Sequence, residues 1–241
     1  MENLIAEGEE LYDLQVNGLK ILQHPQKYCF TTDPIVLANF ARVRRRKVLD
    51  LGSGSGIIAI LCAGKYGASR ADGIELQADL CDMSRRSAAI NGLGDKTAFY
   101  NFPMQESELP PHSYDAVISN PPFNRLDDGD SKTERHIAVC RHELAVTLDE
   151  VVAAAAYHVK YGGRLYMIHQ TERLHEVFCA LNRHGFEAKR LRLIQGRTGI
   201  RPTLALIDAG YKMKPGLEIL HNLVLYDDRG RETEELRRIY N

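Results

Sequence analysis

Short apolar runs alternate with segments of helical period along most of this chain. Lys47–Leu51, Ala71–Leu76, Thr97–Phe102, Tyr114–Ser119 and Arg164–His169 are bounded by turn residues and predict strands. Ile57–Lys65, Ala78–Ile90, Leu148–Val159 and Leu174–Arg183 carry apolar residues at helical spacing. Asn91-Gly92 closes the second of these helices, and Gly162-Gly163 and Gly185 are expected to stop the next two. The last two runs, Ala188–Gln195 and Thr203–Asp208, have no helix-length segment between them. Such alternation predicts an α/β fold, a mostly parallel sheet with helices on both faces. The closing pair, joined too tightly for a crossover, should run antiparallel.

The first part of the chain has a different pattern. Leu14-Gln15-Val16 and Leu19-Lys20-Ile21 flank Asn17-Gly18, which predicts a hairpin with a type I′ turn. Asp33-Pro34 reads as a cap followed by proline at the first helical position, ahead of the apolar Ile35, Val36, Leu37 and Phe40. We therefore divide the chain into an N-terminal extension, residues 1–32, and one domain, residues 33–241. Asn124 to about Leu144 is polar and longer than an ordinary connection, as functional or mobile loops are.

Composition narrows the classes of function. With 44% hydrophobic and 26% charged residues the chain is of globular type. Lys+Arg number 31 and Asp+Glu 32, so binding to a polyanion through overall charge is excluded and a local basic patch would be needed. Arg42, Arg44, Arg45, Arg46 and Lys47 form one candidate patch, and Lys189, Arg190, Arg192, Arg197 and Arg201 a second. The long loop, with Arg125, Lys132 and Arg135, is a third. The five cysteines form no C-x-x-C pair and the nine histidines show no ligand spacing, so neither a disulfide framework nor a metal is expected. No signal-peptide pattern and no apolar stretch near ~18 residues is present, so a cytoplasmic protein, expected to be a monomer, is the first reading.

Two motifs carry chemistry. Val48-Leu49-Asp50-Leu51-Gly52-Ser53-Gly54-Ser55-Gly56 is a strand running through alternating glycines into a helix. Glycines admit a ligand close to the backbone, and the helix start offers free N–H groups. A dinucleotide fingerprint would need glycine at position 57, where Ile57 stands. Asp50 would repel a pyrophosphate but suits a ligand bearing ammonium and sulfonium groups, and Glu75, at the end of the second strand, suits two ribose hydroxyls. The second motif is Asn120-Pro121-Pro122-Phe123, at the end of the fourth strand. A planar amino group is a poor nucleophile. The Asn120 side-chain oxygen and the Pro121 carbonyl can accept its two N–H groups and so favour the pyramidal transition state. The prolines fix that carbonyl, and Phe123 offers a face for a target ring.

Together these residues resemble the class I S-adenosylmethionine methyltransferases, which implies a Rossmann-like sheet. The resemblance assigns Asp50, Gly52, Ser53, Gly54, Gly56, Glu75 and Leu76 to the cofactor, and Asn120, Pro121, Pro122 and Phe123 to catalysis. Such enzymes often carry an acid after the third strand to hold the adenine. Here Phe99-Tyr100-Asn101-Phe102-Pro103-Met104 has Pro103 in that place, leaving backbone groups and Met104 to hold the ring. The entry segment Tyr28-Cys29-Phe30-Thr31-Thr32-Asp33, with Arg141-His142-Glu143-Leu144, Tyr161-Gly162-Gly163-Arg164-Leu165 and the tail Leu225-Tyr226-Asp227-Asp228, resembles the bacterial adenine-N6 methyltransferases of valine tRNA. That resemblance implies tRNA as partner, the adenosine 3′ to the anticodon as target, and Thr31 at the methionine end of the cofactor. As residues alone, Phe30, Thr31 and Asp33 are equally a turn leading into a helix, and Arg141-His142-Glu143 a solvated helix start. Phe123, where many adenine enzymes carry tyrosine, keeps a guanine-N2 target in ribosomal RNA open. A glutamine side chain of a protein and a non-catalytic RNA-binding module also stay open.

Overall fold

The computed structural model describes residues 4–25, 31–123 and 146–241. The expected loop of residues 124–144, with Arg125, Lys132 and Arg135, lies outside the described residues, as do Arg141-His142-Glu143-Leu144, Tyr28, Cys29 and Phe30. Among the described residues nine strands form one sheet. The central strand β3 (Lys47–Leu51) lies between β4 (Arg70–Glu75) and β6 (Tyr114–Ser119), parallel to both. β5 (Thr97–Asn101) extends the sheet beyond β4, and β7 (Val159–Gln170) lies beyond β6, again parallel. β9 (Leu204–Tyr211) is antiparallel to β8 (Phe186–Arg197), as the short connection between them requires, and also to β7. The short β10 (Glu218–Ile219) and β11 (Leu223–Tyr226) run parallel to β8 and were not foreseen.

Alternation along β3 sorts the core. Val48 packs on one face with α2 (Ile57–Gly64), and Leu49 and Leu51 pack on the other with Val151 and Val152 of α4 (Leu148–His158). Every residue of α2 from Ile57 to Ala63 is buried, which an apolar helix requires. It is covered by α1 (Asp33–Phe40), by the hairpin and by α6 (Glu234–Tyr240), whose Leu236 and Ile239 join the same core. α3 (Ala78–Ile90) and α5 (Leu174–Arg183) complete the layers. A capping box between Thr147 and Glu150 starts α4. No helix among the described residues is long and apolar enough to cross a membrane.

Three local expectations are revised. The strands of the hairpin are β1 (Glu10–Asp13) and β2 (Lys20–Gln23), set back from the turn. Asn17 and Gly18 do adopt positive φ (50° and 65°), with Leu19 N donating to Val16 O, and Gln15 at φ 54° is the extra residue. Thr32, not Asp33, is the cap position of α1, and its backbone carbonyl rather than a side chain receives the first N–H groups. Gly162-Gly163 do not stop a helix. α4 ends at His158, and β7 runs through both glycines across a register shift opposite Tyr114–Ala116. Gly163 is needed there because a Cβ would stand 2.6 Å from Val159 Cγ2.

Candidate active site at the carboxyl edge of the sheet

After β3 the chain turns back on β4. Gly52 N and Ser53 N both donate to Ile74 O (3.0 and 2.9 Å), and Gly54 N donates to Glu75 Oε2 at 2.7 Å. From α3, Ser84 Oγ donates to Gly54 O at 2.8 Å. Gly52, Gly54 and Gly56 take φ of 70°, 54° and 82°, in the left-handed region that side chains disfavour. Gly56 is also closed sterically, since a Cβ would stand 2.9 Å from the Phe99 ring and from Ser84 Cβ. Gly56→Ala is therefore expected to cost about 2–4 kcal/mol, from backbone strain plus overpacking. Melting should fall by roughly 5–15 °C, read by circular dichroism, and an unchanged melt would contradict this geometry.

Two carboxylates lie beneath and beside the loop. Asp50 shares a face of β3 with Val48 and is 1% exposed, and no hydrogen bond of good geometry reaches either of its oxygens. Burial pushes its pKa up to about 8 against the opposing pull of the Ala59 backbone N–H, with the charge of Glu75 adding to the rise. Glu75 is buried at the end of β4 and takes Gln77 N on Oε1 at 2.9 Å, besides Gly54. Burial raises its pKa as well, against those amide bonds. Asn101 Nδ2 donates to the carbonyls of Glu75 (2.9 Å) and Leu76 (2.7 Å), and Leu76 stays 37% exposed at this edge. Pro103 begins the 3-10 turn Met104–Glu106 and brings Met104 Cε to 3.8 Å from the place a Gly52 Cβ would fill. A groove of about 520 Å³ between that turn and α4 is lined by Met104, Gln105, Glu150 and Tyr157. A cradle that excludes side chains, an orphaned buried acid and an apolar rim fit a cationic ligand carrying a ribose and a planar base.

The second motif stands beside this cradle. Ser119 is in register with Leu51 and its Oγ donates to Leu51 O at 3.0 Å, so Asn120 leaves β6 where Gly52 leaves β3. This is where strand order reverses and ligands settle in open sheets. Pro121 is buried, Pro122 exposed, and Asn120 and Phe123 half-buried. The Phe123 ring leans on His169, with centroids 5.4 Å apart. His169, at the end of β7, is held neutral, because burial pushes it down to about 4. Gln170 N donates to its Nδ1 at 2.9 Å, which leaves the proton on Nε2.

His169 and Arg173 were missed in the sequence, although one ends and the other closely follows an apolar strand that reaches this edge. Arg173 Nη1 donates to the Phe123 carbonyl at 2.8 Å, while its Nη2 pairs with Glu176 at 2.8 Å. Arg173→Ala should therefore loosen the exit of the motif and lower kcat/KM about ten- to a hundredfold. Cofactor affinity by calorimetry should stay unchanged, and Arg173→Lys should recover part of the loss. An Ala variant with wild-type kcat/KM would remove this role.

Other expected residues are placed less centrally. Thr31 is exposed before α1, its Oγ1 accepting from Asp33 N at 3.3 Å. Arg42 to Lys47 stand at the amino end of β3, a strand length from Asn120. Arg190 and Arg192 are engaged within the fold. Arg190 pairs with the buried Asp208 at 2.7 Å and lies over the Phe40 ring, and Arg192 pairs with Glu235 at 2.6 Å. No three His, Cys, Asp or Glu side chains gather as a metal would need among the described residues.

A family model described as the methyltransferase small domain matches residues 31–184. Over 182 residues the chain is 29% identical to the tRNA1(Val) (adenine(37)-N6)-methyltransferase of Aeromonas hydrophila, covering 69% of this chain and 75% of that one. Over 111 residues it is 29% identical to a Methanocaldococcus jannaschii protein whose name provisionally assigns it protein N5-glutamine methylation, covering 46% of this chain and 54% of that one. Among solved structures, a predicted O-methyltransferase from Agrobacterium tumefaciens superposes with a TM-score of 0.69 at 18% identity, over 86% of this chain and 95% of that one. The fold, a mostly parallel sheet with β9 antiparallel and a switch point between β3 and β6, is thus shared with a solved methyltransferase structure. Because the family match takes in the glycine loop, both carboxylates and the Asn-Pro-Pro-Phe end of β6 in one stretch of more than half the chain, the protein belongs to the methyltransferase small domain family.

Proposed function

We propose that the protein methylates the exocyclic N6 amino group of an adenosine in tRNA, at the anticodon-loop position 3′ of the anticodon of a valine tRNA. The observation that carries this reading is Asn120-Pro121-Pro122-Phe123 leaving β6 beside the glycine loop, in a chain whose Aeromonas relative is named for that reaction. Asp50, Gly52, Ser53, Gly54, Gly56, Glu75 and Leu76 hold the cofactor, with Thr31 near its methionine end. Residues 33–241 carry the activity and 1–32 are an extension. When bound, S-adenosylmethionine supplies an electrophilic methyl group. The chain's own part is to orient the amino group and stabilise its charge. Asn120 Oδ1 and the Pro121 carbonyl accept its two N–H groups, and Phe123 stacks on the ring. As the nitrogen takes the methyl it becomes acidic and gives up one proton through these acceptors to water. The neutral His169 takes no proton near pH 7.

Labelled donor incubated with total tRNA, release factor and ribosomes tests this directly. We expect label in a valine tRNA and, after digestion, in N6-methyladenosine. Labelled N2-methylguanosine would overturn the base assignment. Label in a release-factor glutamine would favour the second reading, which the Methanocaldococcus relative supports and the same two acceptors would serve.

A further inference from the structure

We infer that the turn between β8 and β9, with Arg197 and Arg201 flanking the exposed Ile200, is the docking surface for a single-stranded RNA segment next to the target base. The inference rests on an RNA substrate, and it adds where the RNA lies. β8 is antiparallel to β9, which is antiparallel to β7, so β8 runs with β6 and its carboxyl end emerges on the edge that carries Asn120.

The turn is built and anchored. Ile200 N donates to Arg197 O (3.2 Å), Gln195 Nε2 to Ile200 O (2.8 Å), and Asn222 Nδ2 to Gln195 Oε1 (3.1 Å). Its far side is tied to the motif. Thr171 N donates to Thr203 O and Thr171 Oγ1 to Pro202 O, both at 2.9 Å, and Arg173, in the same 3-10 turn, holds the Phe123 carbonyl. The turn and the catalytic motif thus share one support.

Within the C-terminal basic cluster, charge points to this rim. Arg190 and Arg192 are neutralised inside the fold, whereas Arg197 and Arg201 are exposed and form no ion pair among the described residues. Tyr226 of β11 is in register with Arg197, which places the turn after β11 alongside. There Asp227 is engaged by Arg231 at 2.8 Å, Arg229 is exposed, and Asp228 and Glu232 are the exposed acids. Ile200 is 52% exposed between the two arginines. Guanidinium forks that fit phosphates, with an apolar side chain between them, match an unpaired strand whose bases are splayed from the stack. A protein of near-zero net charge needs such a local patch.

The test uses the full chain, a fluorescein-labelled anticodon stem-loop RNA and the double variant Arg197→Glu/Arg201→Glu. Fluorescence anisotropy should show RNA affinity at least tenfold weaker. The slope of log affinity against log salt should fall by about 1.4, the loss of two single-strand phosphate contacts. Cofactor affinity, melting and kcat at saturating RNA should be retained, and Arg197→Lys/Arg201→Lys should keep the slope. Unchanged affinity and slope in the Glu variant would overturn the inference, as would a wild-type protein that binds no RNA. A KM shift confined to a protein substrate would assign the surface to a protein and overturn it too. Weakened RNA binding alongside a product other than N6-methyladenosine would sink the proposed function and leave this surface standing.

Discussion

Asn120→Ala is expected to lower the methyl-transfer rate by about a hundred- to a thousandfold, the loss that follows removal of one preorganised group from a developing charge. Cofactor affinity should stay within about twofold. The separation follows from what holds each part. The glycine loop is fastened by the Ile74 carbonyl, the Glu75 carboxylate and Ser84, none of which depends on the Asn120 side chain. Asn120 follows Ser119, whose own hydroxyl bond to Leu51 O keeps β6 in register whatever side chain comes next. Asn120→Asp makes the comparison sharper. A carboxylate still accepts an N–H, so this variant should keep more activity than Asn120→Ala. Single-turnover kinetics at saturating cofactor and RNA give the ratio. An Ala variant within tenfold of wild type would mean that the Pro121 carbonyl and stacking on Phe123 suffice.

Much of this site could be read along the chain because its parts are contiguous. Asp50 to Gly56 and Asn120 to Phe123 each sit on one strand end, and strand–helix alternation brings those ends together. What escaped the sequence depends on contacts between distant segments. Arg173 reaches Phe123 from the far side of β7, and only the sheet order makes the two neighbours. Arg190 has the look of a surface cation until Asp208, on the adjacent strand, faces it from the core. The glycines at 162 and 163 read as a helix stop, but the pairing of Tyr114 with Val159 demands extended backbone already at residue 159. α6 has two buried residues, Leu236 and Ile239, too few for a period, and is fixed by Thr233 Oγ1 accepting from Leu236 N and by Lys65 donating to the Ile239 carbonyl. The basic run Arg42–Lys47 was correctly placed before β3, which is the very reason it lies at the wrong end of the strand to touch a base at Asn120.

Asp50→Asn should show what the buried acid does in two measurements of opposite sign. In the free protein the carboxyl has its pKa raised to about 8 by burial. Between the ordinary carboxylate range and about pH 8 the folded chain therefore keeps a proton that the unfolded chain has released. The unfolded state binds fewer protons there, so stability falls as pH rises through this window and levels off above it. The Asn variant has no proton to lose. Its melting temperature should exceed that of wild type above pH 8 and lack the fall, whereas the two should converge near pH 4. Binding of the cationic cofactor reverses the preference, because a sulfonium and an ammonium favour the ionised carboxylate. Wild-type affinity should then tighten by up to about tenfold for each pH step toward 8, with a proton released on binding. In Asp50→Asn that release should vanish, and affinity at pH 8.5 should be about ten- to a hundredfold weaker, the worth of a hydrogen bond to a charged group. Calorimetry in buffers of different ionisation enthalpy counts the protons, and equal proton release by both proteins would move the cofactor's charge partner away from Asp50. A variant that gains stability while losing its ligand identifies a carboxylate kept unpaired for binding rather than for the fold.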